Sequence, residues 1–271
     1  MKPERFMGNS LKNRIFPIQK NSKQPELDYK VYRFSAKEGM LYVLLIIGAM
    51  VGVSYLFYRS LWGLVVVSPM GLYFWKSIKE DECKKRKAKL AVQFKDCIKS
   101  VSASMKAGYS VENAFRESIK DINLVYGEDS LMSAELRSII SGLSNNVTLE
   151  EKLISLGERS GIEDIREFGE IFKIAKRGGG NLTEIISDTV SLMDRKSEID
   201  AEIDVLISSR RTESRIMEAV PFAIIVYISA TSPGFFESLY HNFLGIVIMT
   251  ICLGAYFGAV VLSKKIVSIE V

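Results

Sequence analysis

Two stretches of this sequence carry almost no charge, residues 39–75 and 216–263, and they decide what the rest of the chain can become. Apolar runs of that length need lipid as their solvent. Between them, residues 76–215 hold 24 Lys or Arg and 25 Asp or Glu. The overall composition, 48% hydrophobic and 25% charged, hides this segregation.

A helix rises about 1.5 Å per residue and a bilayer's hydrocarbon core is about 30 Å thick, so about 20 apolar residues suffice to cross it. Residues 39–58 reach that length without a charge. After Arg59 and Ser60, a shorter run over 61–75 contains Pro69 and carries Trp62, Tyr73 and Trp75 near its ends, as interfacial anchors would be. A third run, 216–232, has Glu218 and Pro221 near its start; a fourth, 243–262, is rich in Gly and Ala. Gly254 and Gly258 have the spacing that lets helix backbones approach closely in lipid. Glu218 reads as an interfacial carboxylate at the edge of its span, with an intramembrane ion site as the alternative. The expected fold is all-α: a polytopic membrane protein whose two transmembrane helical hairpins, 39–75 and 216–263, flank a helical bundle over 76–215.

Flanking charge sets the direction. Lys76, Lys79, Lys84, Lys85, Arg86, Lys87 and Lys89 follow the second run, Arg210, Arg211 and Arg215 precede the third, and Lys264 and Lys265 follow the fourth. The connecting loops offer only Arg59 on one side and Glu237 with His241 on the other. The positive-inside rule then puts the amino-terminal segment, the bundle and the tail over 264–271 on the cytoplasmic face of the plasma membrane. Residues 1–38, with nine Lys or Arg against four acids and with Pro3, Pro17 and Pro25, read as a basic cytoplasmic arm. A headgroup or topogenic role suits it better than nucleic-acid binding or a cleaved signal.

Apolar positions at helical spacing predict a bundle of about six helices, over 76–106, 110–122, 129–143, 148–158, 162–177 and 181 onward. The same device punctuates them: a turn stops one helix and a side-chain oxygen starts the next. Gly108 suits a left-handed helix end and Ser110 a cap; Thr148 stands three residues before Glu151; Asn181, after Gly178, Gly179 and Gly180, stands three before Glu184. No Gly or Pro interrupts the chain between Asn181 and Glu218, so the last bundle helix is expected to run unbroken into the third span, as the second span is into the first bundle helix.

Chemistry is sparse. The glycine triplet at 178–180 invites a phosphate-loop reading, but the sequence lacks a Gly separated by four residues from a Gly-Lys-Ser/Thr, and the glycines follow a helix. His241 is the one histidine, so a multi-histidine metal site is impossible. Cys83, Cys97 and Cys252 form neither a zinc pattern nor a disulfide framework. The acidic pairs Glu163/Asp164 and Asp200/Asp204 read as solvated helix faces. The expectation is a non-enzyme with no catalytic, cofactor or metal site, the basic residues Lys84, Lys85, Arg86, Arg210 and Arg211 contacting a partner or lipid. A small transporter or channel with a regulatory bundle is the alternative; Glu218 is almost the only ionisable group its spans offer.

The order of spans and bundle resembles the type II secretion F domain family, in particular the TadB-type platform proteins of tight-adherence (Flp-type) pilus systems. The resemblance runs over about residues 39–265 and is carried by Met105-Lys106-Ala107-Gly108-Tyr109-Ser110-Val111, by Gly179-Gly180-Asn181-Leu182-Thr183-Glu184-Ile185-Ile186, by Arg195 and by Val220-Pro221. It implies a membrane scaffold without an active site that docks a cytoplasmic secretion ATPase, a second, TadC-like platform protein and pilin subunits, in a homo- or hetero-oligomer. The long basic arm and the short second span depart from the family's pattern.

Overall fold

The computed structural model describes Tyr29 and residues 36–60, 63–179, 181–232, 234–235, 240 and 242–269. The described residues are all-α, with eight helices and no strand: α1 Ala36–Tyr58, α2 Gly63–Lys106, α3 Val111–Tyr126, α4 Leu131–Ser144, α5 Leu149–Ser160, α6 Glu163–Arg177, α7 Leu182–Thr231 and α8 Phe243–Ile269. Most of the basic arm, Trp62, Gly180, Glu237 and His241 lie outside the described residues.

Turn chemistry sets the boundaries. α2 ends where Gly108 takes φ 95°, with the Gly108 and Tyr109 amides donating to the carbonyls of Met105 and Ser104 at 2.9 and 3.1 Å. This pair of back-bonds satisfies carbonyls that a helix end leaves open. Thr148 caps α5 by accepting from the Glu151 amide at 3.4 Å, and Asn181 caps α7 by accepting from the Glu184 amide at 3.4 Å. Ser110 departs from expectation: it stands at the N-cap of α3, but its side chain accepts no cap bond and only its carbonyl joins the helix, from Ala114 at 2.8 Å. The side-chain cap that the sequence reading missed is Ser130, which accepts from the Ser133 amide at 3.3 Å.

One core holds the bundle. On α2 the stripe Leu90, Phe94, Cys97, Ile98, Val101 and Met105 repeats every three or four residues and is buried against α3 to α6. Phe94 meets Phe168 of α6 edge-on at 5.4 Å between ring centres. α5 and α6 approach so closely that a Cβ on Gly157 would stand 2.8 Å from the Arg166 Cα. Lys99 of α2 pairs with Asp194 of α7 at 2.6 Å, and Lys196 of α7 with Asp164 of α6 at 2.5 Å.

A second, smaller core, around Phe57, Tyr58, Val67, Met249 and Leu253, joins α1, the start of α2 and α8, with Phe222 and Ile225 of α7 packed against it. Gly71 of α2 lies under Met50 of α1, where an added Cβ would be 2.5 Å from its sulfur. Among the described residues three helices are long and apolar enough to cross a membrane, through Gly39–Tyr58, Leu182–Thr231 and Leu244–Ile266. The apolar start of α2 is not among them: its uncharged run ends at Trp75, and Lys76, Lys79 and Glu80 follow at once. Protein covers little of these apolar windows; in α7 none of it is buried. A Cβ at Gly254 or Gly258 would meet no atom within 4 Å, so among the described residues the close-packing face expected there has no neighbour.

Candidate functional site

Two features stand out where the bundle meets the apolar helices. The first is continuity. α2 and α7 each pass without a break from apolar sequence into the charged bundle, despite Pro69 and Pro221 inside them. Each proline lacks the amide that would close one helical turn, yet the flanking turns keep both helices whole. At helical rise the 44 residues of α2 span about 66 Å and the 50 of α7 about 75 Å.

Inside the apolar end lies a cleft of about 480 Å³, lined by Ile46 and Met50 of α1, Met70 and Phe74 of α2, and Glu218 and Phe222 of α7, among others. Its wall is apolar except at Glu218 and at two tyrosines. Tyr256 of α8 donates to the carbonyl of Glu218 at 2.6 Å, and Lys264 stands 4.9 Å from the centre of the Phe74 ring. Glu218 is half-buried, at the rim between the cleft and the bundle side.

The second feature is a socket at the junction of α2, α4 and α5, filled by Tyr29. Only 1% of this tyrosine is exposed, and it belongs to the bundle's core. Its hydroxyl donates to Glu135 Oε1 at 2.8 Å. The same carboxylate receives Arg159 through both terminal guanidinium nitrogens, at 3.2 and 2.8 Å. The Tyr29 amide donates to the Arg159 carbonyl at 3.3 Å, the Cys83 thiol donates to the Tyr29 carbonyl at 3.3 Å, and the Arg86 guanidinium lies 5.2 Å from the ring centre. Burial first, and the neighbouring Glu135 carboxylate second, push the Tyr29 phenol well above the ordinary tyrosine range. Fully paired, the carboxylate tolerates its burial.

The expected contact residues are scattered over these features. Arg86 faces Tyr29, Lys84 is exposed, and Lys85 is exposed while paired with Glu82 at 2.7 Å. On α7, Arg210 pairs with Glu213 at 3.5 Å and Arg211 with Asp204 at 3.6 Å, near the base of the apolar segment. Of the turn residues, Gly108, Ser110, Thr148, Gly179 and Asn181 sit at helix ends of the bundle, Gly179 with φ 65°. Sequence reasoning missed Tyr29, Glu135 and Arg159. One signal was legible: Glu135 interrupts the apolar face that Met132, Leu136 and Ile139 draw on α4, so its carboxylate needed a buried partner. Among the described residues no group of three or more His, Cys, Asp or Glu is arranged to hold a metal ion.

Compared with known proteins, the chain matches no family model, no curated protein and no solved structure.

Proposed function

We propose that this chain is a non-catalytic platform protein of a type II secretion or Flp/Tad-type pilus assembly system, seated in the plasma membrane and passing mechanical work between a cytoplasmic secretion ATPase and pilin subunits. The observation that carries this reading is the continuity of α2 and α7, two rods of about 66 and 75 Å that are apolar at one end and built into the bundle at the other. Between Lys76 and the end of α2, and from Leu182 to Glu218 in α7, no Gly or Pro offers a hinge in which a push or torque on the bundle could dissipate. The ATPase, a second related platform protein and the pilin are the partners this role requires.

In this reading the chain crosses the membrane four times, in two hairpins, the start of α2 being a short span paired with α1. Tyr29 supports that parity. It precedes α1 yet lies in the core of the bundle that follows α2, so if α1 crosses the bilayer the chain has to cross back before the bundle begins. The basic residues beside the bundle ends of α2, α7 and α8 favour the cytoplasmic side for the bundle and both termini.

Co-purification from detergent tests the partnership. The intact chain is expected to bring the cognate secretion ATPase with it, with crosslinks in cells from Lys84 or Arg210; a folded chain that never crosslinks to the ATPase sinks the proposal. A small transporter or channel is the second reading, favoured by the cleft that Glu218 lines. Proteoliposome flux abolished by Glu218→Gln would favour it over the platform.

A further inference from the structure

We propose that Tyr29 is a pin that clamps the amino-terminal segment into the bundle, so that the cytoplasmic end of α1 is held to α4 and α5 as well as to α2. This inference stands independently of the platform reading, because it rests only on the socket and on chain length.

The socket is built for an aromatic residue with a hydroxyl. The ring is enclosed in the core with a guanidinium at its face, the hydroxyl meets a carboxylate that is itself only 4% exposed, and both backbone polar groups of Tyr29 are taken, the amide by Arg159 and the carbonyl by Cys83. A residue held merely by apolar contact would not need its main chain fixed from two different helices. Here α2 supplies Cys83 and Arg86, α4 supplies Glu135 and α5 supplies Arg159. Removing the phenol would leave the Glu135 carboxylate beside an empty space in the core, which is costly.

Position in the chain turns this anchorage into a coupling. Tyr29 precedes the first residue of α1, Ala36, by seven peptide units, which reach at most about 25 Å. Six residues into α1, the Tyr42 hydroxyl approaches Glu82 of α2 at 3.5 Å, one residue from Cys83. Tyr29 and the foot of α1 thus meet the same turn of α2, and the strap of seven peptide units between Tyr29 and Ala36 sets a limit to how far the start of α1 can move from the socket. Without the pin, α1 would reach the bundle only through its packing on the apolar parts of α2 and α7.

Cys83 supplies the reporter. In the full-length chain in detergent, with Cys252→Ser in the background, maleimide labelling of Cys83 reads whether the pin is seated, and amide hydrogen exchange over residues 36–42 reads whether α1 is held. Cys97, which is fully buried, reads global folding. Tyr29→Ala is expected to label Cys83 at least tenfold faster and to raise exchange over 36–42 at least tenfold, with Cys97 still protected. Tyr29→Phe, which keeps the ring and the Arg86 contact but takes the phenol from Glu135, is expected to fall between wild type and Tyr29→Ala on both readouts. Inserting about ten Gly/Ser residues between Lys30 and Val31 is expected to free α1 while Cys83 remains protected, since a flexible insert lengthens the strap without touching the socket. The proposal is overturned if Cys83 labels at the wild-type rate in Tyr29→Ala, or if exchange over 36–42 is unchanged by the insertion. Should Tyr29→Ala expose Cys97 and so fail to fold, the insertion decides alone.

Discussion

Glu135 sits at the centre of a buried ionic cluster in the bundle, and its two partners stabilise it in different ways. Arg159 neutralises it through two hydrogen bonds, whereas Tyr29 adds a neutral one from outside the helical repeat. Breaking such a pair from one side strands a charge and costs about 3–5 kcal/mol, while replacing both partners by apolar residues of similar size often costs little. Arg159→Met is therefore expected to destabilise the chain by about that amount, and Glu135→Leu/Arg159→Met to recover most of the loss, the remainder being the Tyr29 hydroxyl left without an acceptor. Denaturant melts followed by circular dichroism measure both. Cys97 makes a prediction of another kind. Burial pushes its thiol up to about 12 from 9.0, the Ser118 hydroxyl 3.7 Å away offsetting part of that rise. A raised pKa means that the fold prefers the protonated form, so this contribution is complete below pH 9 and is lost as the pH climbs toward 12. Cys97→Ala is expected to flatten the fall in stability between pH 9 and 12, and a profile as steep as wild type would remove Cys97 as its cause.

At the scale of elements, caps and glycines separate positions that look alike in the sequence. Thr148 and Ser110 both precede a helix, but only the Thr148 side chain bonds its helix, so Thr148→Ala is expected to cost about 1 kcal/mol and Ser110→Ala close to nothing. Gly142 and Gly157 both lie inside helices. A Cβ on Gly157 would strike the backbone of Arg166, forcing α5 and α6 apart at a cost of about 1–3 kcal/mol, whereas on Gly142 it would meet only the flexible end of Lys152, so Gly142→Ala is expected to be neutral or stabilising through helix propensity. Thermal melts of the four single variants rank these costs. The helix ends were legible because they rest on local chemistry, a glycine at Gly108 or an oxygen at Thr148 within one turn of its target. The run of α2 and α7 from apolar to charged sequence was legible for a similar reason, since no breaker interrupts the charged part of either. What the sequence hid is non-local. Nothing near Tyr29 in a polar, proline-interrupted segment announces that Glu135, 106 positions on, will receive its hydroxyl. Gly254 and Gly258 show the converse, a spacing that fits a close-packing face but meets no neighbour.

For the whole molecule, the bundle constrains the number of crossings in a way that hydropathy does not. If α1, α7 and α8 alone crossed the bilayer, the segment before α1 and the bundle would lie on opposite faces, and Tyr29 would have to sit in a core on the far side of the membrane from its own chain. Four crossings remove the contradiction but ask the apolar start of α2, residues 63–75, to span with about 20 Å of helix. Such a mismatch is met by local thinning and by lysines that extend their amines to the headgroups, each at modest cost. Lys79 already folds its amine back over the Trp75 ring, 5.1 Å from its centre, placing an aromatic and a cation together at the expected interface. Single-cysteine labelling in intact cells discriminates the two topologies. With Cys83, Cys97 and Cys252 replaced by Ser, a membrane-impermeant maleimide is expected to label Ser60→Cys, between α1 and α2, from outside, and to reach Lys84→Cys, an exposed position on α2, only after the membrane is opened. Both sites labelling from outside would place the bundle beyond the membrane and end the platform reading. Protection of both would mean that α1 and the start of α2 do not cross at all, leaving α7 and α8 as the only anchor and the α2 rod without a membrane end to push.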